Sequence, residues 1–357
     1  MRKAGNVFSL PALIVCAHLV CVASAAEPAP GVAAPTEPTQ PASYHVDRSI
    51  TEPQVFAEGI ISTVDDEIGG TFSPDGNEFY FSRLIPYTTL PRLGILCVSH
   101  YRGGLWSTPE ILPFSGRYLD YPPKLDATGK RMLFASSRPL PDGTRGRIRI
   151  WEVERNVSGW GDPRALPPPI NAPDSYWNAD PSESGDGTLY FSSDRGGKGV
   201  HIFRSRFVDG KYSEPEKLGP EINSDFNDYQ PYVSPDGNIL IFASSGQDVP
   251  PYGRRAENLI TGGKPYSRAD LYVSVNRNGK WTQARHLEHG INSFAEEEFP
   301  LLTPDGKYLF FSSERSAFTV PTAHRLTFDE LKSQLHSIFN GHGNVFFIGA
   351  DALELKP

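Results

Sequence analysis

Residues 234–245 read SPDGNILIFASS, a tight turn followed by an apolar strand that ends on small hydroxyl side chains. The chain carries five copies of this phrase, and their turn glycines are 53, 58, 50 and 69 residues apart. That spacing is typical of a four-stranded propeller blade with loops of variable length. The copies span Phe72 to Arg83, Leu125 to Arg138, Glu183 to Arg195, Val233 to Ser245 and Leu302 to Arg315.

Each repeat contains enough strand signals for a complete blade. Alternating apolar side chains follow the turn, a second apolar segment comes next, and a glycine turn with an aromatic exit leads to an outer segment. Period-two alternation is the mark of a strand with two different faces. The sequence therefore predicts an all-β fold, a single β-propeller of five four-stranded blades.

The ring predicted here closes through the two ends of the domain. The last repeat stops after its third strand, and residues 52–62 resemble the outer-strand segment 214–224. Pairing an N-terminal outer strand with the C-terminal blade would hide the edges that an open array exposes. Six blades, with one degenerate repeat, are the alternative.

The N-terminal region predicts export. Residues 1–25 combine Arg2 and Lys3, an apolar stretch from Val7 to Val22 and a small-residue cleavage site, as a signal peptide does. Residues 26–50 are Pro/Ala-rich and are expected to be a disordered linker, and residues 51–357 form the propeller domain. We expect a periplasmic or secreted protein.

Composition limits the partners. The formal charge is −8, which becomes about −10 once Arg2 and Lys3 are removed, and the sequence shows no concentrated basic patch. We therefore expect no nucleic-acid partner, and no membrane span in the mature chain. Histidine spacings do not indicate a metal site, so neither a metal nor a cofactor is expected.

Three of the turns carry a family resemblance. Ser73-Pro74-Asp75-Gly76, Ser234-Pro235-Asp236-Gly237 and Thr303-Pro304-Asp305-Gly306, with the strands that follow them, resemble the WD40-like propeller repeat of TolB-type periplasmic proteins. The resemblance covers nearly all of the chain from about Glu52 onward. It implies the propeller fold but no single function, because such propellers serve as interaction scaffolds and as domains attached to enzymes.

A ring of polar residues is predicted at one mouth of the central channel. Counting back nine residues from each turn glycine gives four carboxylates and one amide, just before each innermost strand. The loops after the second strands begin with arginines and should reach the same mouth. The predicted ligand-binding residues are Glu67, Asp120, Asn178, Asp180, Asp228, Glu297, Glu298, Arg83, Arg138, Arg195, Arg315, Tyr121, Trp177 and Tyr229.

These residues allow three hypotheses. The first is a binding protein that recognises a protein, peptide or glycan ligand at an acidic, aromatic mouth. The second is a carbohydrate-active hydrolase or lyase, for which Asp228 and Glu297 are the candidate catalytic pair. In the third, arginine–carboxylate pairs simply hold neighbouring blades in register.

Two long segments interrupt the repeat, Gly246 to Ala269 and Ser316 to Gly343. The second predicts a helix, because Thr327 and Glu330 fit a capping box and the residues after Thr327 have an apolar face. Both segments should lie beside the channel mouth.

Overall fold

Each copy of the repeated turn connects the first and second strands of an antiparallel sheet. In the turn at Gly237, Ser234 Oγ donates to Asp236 Oδ1, and Asp236 Oδ1 also accepts from Asn238 N at 3.1 Å. Gly237 has a φ of 70°, in the left-handed region that glycine adopts without strain. The repeated turn therefore sets the boundary between the innermost and second strands of a blade.

The computed structural model describes residues 43–44, 49–85, 93–144, 147–171, 176–245, 260–261, 264–265, 268–317, 322 and 324–355. Five sheets form a five-bladed β-propeller, which confirms the predicted fold class. From blade 1 to blade 5, the innermost strands are Asp66–Phe72, Lys124–Leu125, Asn178–Glu183, Asn227–Val233 and Glu297–Leu302. The second strands are Glu78–Leu84, Arg131–Ser136, Leu189–Ser193, Ile239–Ser245 and Tyr308–Ser313.

The outer half of each blade is built from longer third strands and very short fourth strands. The third strands are Gly94–Arg102, Arg149–Asn156, His201–Ser205, Ala269–Arg277 and Asn344–Gly349. The fourth strands are Glu110–Ile111, Arg164–Ala165, Glu216–Lys217, Arg285–His286 and, for blade 5, Gln54–Val55. Other two-residue strands are Leu105–Trp106, Gly159–Trp160, Phe207–Val208, Lys211–Tyr212, Ile260–Thr261, Lys264–Pro265 and Lys280–Trp281.

The N-terminal strand closes the ring as predicted. Gln54 pairs with Phe347 and Val55 with Phe346, so blade 5 receives its fourth strand from the start of the domain. The next residue, Phe56, is buried, and its ring lies 4.9 Å from that of Phe310 and 5.3 Å from that of Phe79. This aromatic cluster joins blade 1 to blade 5.

Part of the predicted linker packs on the propeller. Tyr44 and Ile50 are buried, and the Tyr44 ring lies 4.9 Å from that of Phe72. The predicted signal peptide and most of the linker, residues 1–42, lie outside the described residues.

Helix α1, Phe328–Leu335, begins where the capping box predicts. Glu330 N donates to Thr327 Oγ1 at 3.2 Å, and Thr327 N donates to Glu330 Oε2 at 2.7 Å. A 3-10 turn, Ala350–Leu353, follows the last strand. Within the described residues, no helix has the length and apolar character needed to cross a membrane.

Candidate functional site

The loops before the innermost strands and those after the second strands lie at the same end of the propeller, because strand direction alternates within a blade. We call this end the channel mouth. Helix α1 belongs to this end, because it lies in the loop between the second and third strands of blade 5. Later in the same loop, Asn340 Nδ2 donates to Val64 O of blade 1 at 2.8 Å.

The five residues nine positions before the turn glycines are buried and bonded within the blades. We call Glu67, Asp120, Asn178, Asp228 and Glu297 the buried ring; each is at most 1% exposed. Glu297 accepts from Ser293 N at 2.9 Å, from Ser293 Oγ at 2.5 Å and from Ser313 Oγ at 2.8 Å. Asp228 accepts from Ser224 N at 2.6 Å and from Ser244 Oγ at 2.6 Å. The two candidate catalytic carboxyls thus have several hydrogen bonds each inside the fold.

The four arginines contact this same ring. Arg83, Arg138 and Arg195 each place Nη2 2.9 Å from an oxygen of Glu67, Asp120 and Asn178, in that order. In blade 5 the pair is looser, with Arg315 Nε 3.7 Å from Glu297 Oε1.

The guanidinium groups also bind backbone carbonyls of the preceding loop, as shown by 2.6 Å contacts from Arg195 to Ile170 O and from Arg315 to Ile291 O. They stack on aromatic rings as well, Arg195 lying 5.0 Å from the centre of Phe191. These contacts tie each blade to the loop that enters it from the preceding blade, and ligand binding by these nine residues stays a prediction.

Burial changes the pKa of two carboxyls in the buried ring. It raises the pKa of Glu297 to about 7, and it raises the pKa of Glu67 above its ordinary value. Both carboxyls therefore hold protons at a higher pH than exposed glutamates do.

The three aromatic side chains predicted to bind a ligand pack against the core. Tyr121 and Trp177 lie against a small cluster of Ala135, Ile148 and Ala179 between blades 2 and 3, and Tyr229 packs on the largest core cluster. All three are half-buried. Other aromatic side chains at the channel mouth are more exposed, as described below.

Just after the buried ring, the innermost strands depart from regular pairing. Register shifts mark a β-bulge in blades 1, 3, 4 and 5. At the bulge Asp180, Gln230 and Phe299 have φ of 52°, 54° and 51°. This left-handed conformation costs a residue other than glycine about 1–2 kcal/mol. Such strain is common where a fold presents particular side chains to a site.

The structure brings four polar side chains together in the channel, and we call Lys124, Asp180, Gln230 and Glu298 the channel centre. Gln230 Nε2 donates to Glu298 Oε1 at 3.0 Å, and Gln230 Oε1 accepts from Phe299 N at 3.1 Å. Asp180 and Glu298 were predicted from the sequence, whereas Lys124 and Gln230 were missed. Counting back seven and five residues from the turn glycines, instead of nine, would have found them.

Lys124 belongs to blade 2, and its side chain reaches blades 1 and 5. Its Nζ is 3.3 Å from both Gly70 O in blade 1 and Pro300 O in blade 5, and it lies 6.0 Å from the ring centre of Tyr232 in blade 4. Lys124 is also deeper in its strand than Asp180 and Glu298 are in theirs, relative to the turn. Its side chain therefore forms a floor beneath the two carboxyls.

The charges of the channel centre are strongly perturbed. Burial raises the pKa of Asp180 to about 6 and lowers that of Lys124 to about 8. Burial, with the carboxylates of Glu296 and Glu314, holds the pKa of Glu298 well above its usual range. Groups shifted by burial and by each other are candidates for a functional site.

More carboxyls lie closer to the opening. Burial raises the pKa of Glu314 to about 8, and Glu296 and Asp66 add to the shift. Arg268 is the nearby cation, and it bonds to Phe294 O. Among the described residues, no group of three His, Cys, Asp or Glu side chains is arranged to hold a metal ion.

Exposed apolar side chains lie at the same end of the propeller as this acidic opening. Eight of the thirteen large apolar side chains exposed in the described part of the chain belong to the channel mouth. They are Val64, Ile85, Tyr176, Phe226, Phe294, Phe328, Leu335 and Phe339, and we call them the apolar rim. Three of them belong to α1 or follow it, and Phe328 is 76% exposed.

No protein-family model and no curated protein matches the chain. Among solved structures, a GH43 endo-arabinanase from Bacillus licheniformis is 13% identical, with a TM-score of 0.45 over 80% of this chain and 94% of that one. The Dos1 propeller is 10% identical, with a TM-score of 0.38 over 74% of this chain and 70% of that one.

A puromycin-hydrolysing peptidase from Mycobacterium tuberculosis is 14% identical, with a TM-score of 0.37 over 81% of this chain. The chain spans 44% of that peptidase. At these identities the similarity concerns the propeller fold and does not extend to ligand or activity.

Proposed function

We propose that the protein is an exported binding protein whose channel mouth recognises a polypeptide segment with basic and apolar side chains. The observation that carries the proposal is the apolar rim around a carboxylate-rich opening. Exposed apolar side chains gathered in one region mark interaction surfaces, and aromatic side chains supply much of the energy of protein interfaces.

The charge of the opening favours a basic partner. Asp66, Glu296, Glu298 and Glu314 approach one another there, and their mutual repulsion contributes to the raised pKa values of Glu298 and Glu314. A cationic side chain would relieve that repulsion and would favour the ionised carboxyls.

The mixture of aliphatic and aromatic side chains favours a polypeptide over a glycan. Val64, Ile85 and Leu335 offer no flat ring on which a sugar could stack, and α1 presents Phe328 and Leu335 to solvent. An apolar helix face is suited to another polypeptide.

Fluorescence anisotropy with a labelled short peptide of interspersed lysine and phenylalanine tests the proposal. We expect the double variant Phe226→Ser, Phe294→Ser to bind about tenfold more weakly. The matched control is Phe207→Ser, Val208→Ser, which removes two similarly exposed side chains from an outer hairpin of blade 3. Equal affinity for both double variants, or no binding by the unaltered protein, would overturn the proposal.

Exchange of lysine for glutamate in the peptide should abolish binding, and exchange of phenylalanine for serine should weaken it. Export is tested separately by the N terminus of the protein recovered from cell fractions, which should follow residue 25 in a fraction outside the cytoplasm.

A carbohydrate-active enzyme is the second candidate, favoured by Glu314. A carboxyl that stays protonated beside ionised carboxylates is what glycan cleavage requires of its general acid. Because Asp228 and Glu297 are occupied by blade contacts, we place the acid at Glu314 in this alternative. Release of oligosaccharides from a polysaccharide panel, lost in Glu314→Gln, would support it, and no release by the unaltered protein would reject it.

A further inference from the structure

The channel centre contains a carboxylate oxygen that the fold leaves without a hydrogen bond. Asp180 is 9% exposed, and its Oδ2 is buried with no partner among the described residues. An ionised buried oxygen in this state is unfavourable unless something else satisfies it. Asp180 also has a φ of 52°, a left-handed conformation that is unfavourable for a residue other than glycine.

Hydrogen bonds from the Ser192 side chain and the Gln230 backbone lower the pKa of Asp180, but no described group donates to its Oδ2. Gln230 uses its Nε2 for Glu298 and its Oε1 for Phe299 N. Lys124 is held below by the carbonyls of Gly70 and Pro300, and it forms no ion pair with Asp180 or Glu298 among the contacts of the described residues. The Oδ2 of Asp180 thus stays without a donor among the described residues, although the Lys124 ammonium belongs to the same cluster.

The charges of the channel centre are also unbalanced. It contains two carboxyl groups and one ammonium, so full ionisation leaves one negative charge uncompensated in a poorly hydrated place. A proton or a cation must supply the missing positive charge.

The innermost strands of neighbouring blades approach one another closely at this level. A Cβ added to Gly69 would lie 2.4 Å from the Cβ of Pro122 and 3.1 Å from that of Phe299, the equivalent residues of the neighbouring blades. A planar guanidinium needs more width than an alkylammonium, whose three N–H donors match two carboxyl groups at the end of a thin chain.

We propose that the channel centre binds a primary ammonium group, with Asp180 Oδ2 and Glu298 as acceptors and Lys124 as the floor of the site. The proposal rests on the proposed function, since it names the part of a polypeptide ligand that enters the channel. The ammonium comes from either a free N terminus or a lysine side chain.

Butylammonium chloride is the probe, with 1-butanol and tetramethylammonium chloride as the neutral and donor-free comparisons. Saturation-transfer NMR should detect butylammonium on the unaltered protein and neither comparison compound. Asp180→Asn should weaken butylammonium binding by roughly tenfold or more, because a charged hydrogen bond is lost. Asp162→Asn, an exposed matched control, should leave it unchanged.

Lys124→Met supplies a variant whose expected effect has the opposite sign. Removing the neighbouring positive charge should strengthen butylammonium binding, a result that misfolding cannot produce. Equal butylammonium binding by the Asp180→Asn and Asp162→Asn variants, or weaker binding by Lys124→Met, would overturn the proposal.

Protons should compete with the probe. Burial raises the pKa of Asp180, burial and neighbouring carboxylates raise the pKa values of Glu298 and Glu314, and burial lowers that of Lys124. Butylammonium affinity should therefore rise from pH 5 to pH 8, while the alkylammonium itself stays protonated. A fall in affinity over that range would contradict the site.

The labelled peptide separates the two sources of the ammonium. Loss of binding on N-acetylation assigns the N terminus, and loss on exchange of lysine for norleucine assigns the side chain. Peptide binding that survives both changes, and also survives Asp180→Asn, would refute the ammonium site while the proposed function stands. Butylammonium binding without any peptide binding would support the site and refute the proposed function.

Discussion

At the scale of single residues, three groups of carboxylates in this chain differ in their hydrogen bonds. The aspartates of the repeated turns, such as Asp236, accept hydrogen bonds from their own turn. The buried ring bonds to serines, threonines and arginines of the same blade and its preceding loop. In the channel centre, Asp180 keeps an oxygen for which the described residues offer no donor. Asp180 therefore has hydrogen-bonding capacity left for a ligand.

Asp228→Asn tests the structural role of the buried ring. The amide would place N–H groups against Ser224 N–H or the hydroxyls that now donate to the carboxylate. We expect a loss of about 1–3 kcal/mol in the free energy of unfolding, measured by urea denaturation. The affinity for the lysine- and phenylalanine-containing peptide should not change.

Asp162→Asn again serves as the control, because Asp162 is exposed. If Asp228→Asn abolished peptide binding at unchanged stability, the carboxylate would belong to the ligand site and the register role would be refuted.

The sequence located the polar residues of the channel but did not separate their roles. The nine-residue offset identified the buried ring, because a side chain at the start of every innermost strand recurs with the blade. It could not show that serines such as Ser244 and Ser313 donate hydrogen bonds to those carboxyls, because strand pairing brings each serine beside its carboxyl. Nor could it show the bulge that turns Asp180 and Gln230 into the channel.

At the scale of elements, the N-terminal strand has the largest predicted effect on the fold. Gln54–Val55 adds only two backbone pairs, whereas Phe56 contributes a buried ring to a cluster with Phe72, Phe79, Phe310 and Phe347. Closure of the ring therefore depends mainly on the aromatic side chain that follows the strand.

Phe56→Ala should lower the free energy of unfolding by about 3–5 kcal/mol, because a large buried ring is lost from the junction of the first and last blades. Thermal and urea denaturation would measure the change. Phe207→Ala, at a half-exposed position on an outer hairpin, should cost far less. A similar, small effect of both variants would mean that the N-terminal strand does not hold the ring closed.

Local sequence signals predicted where a strand or helix forms better than they predicted what packs against it. The closing strand was found because residues 52–62 resemble another outer-strand segment, and α1 was found from its capping box. The apolar periodicity of α1 could not reveal that Phe328 and Leu335 are exposed, because a periodic pattern defines a face without naming what covers it. The Gly246 to Ala269 segment lies largely outside the described residues.

At the scale of the whole molecule, burial of carboxyls predicts how stability varies with pH. The pKa is raised to about 6 for Asp180, about 7 for Glu297 and about 8 for Glu314. Between their ordinary values and these, the folded protein binds more protons than the unfolded chain. Stability is therefore lost as pH rises through this window.

We expect the melting temperature to fall steadily from pH 5 to pH 8, measured by differential scanning calorimetry. Glu297→Gln should make the fall shallower, because one of the titrating groups is removed. A melting temperature that rises over this range would show that the carboxyls are ionised in the folded state at ordinary pH.

Hydrogen–deuterium exchange with and without the lysine- and phenylalanine-containing peptide tests most directly whether the channel mouth is the ligand site. The account predicts slower exchange in residues 224–230, 293–299 and 338–343, which line the mouth. It predicts no change in the turns around Gly76, Gly237 and Gly306, at the opposite end of the blades. Protection confined to those turns or to the outer strands would contradict it.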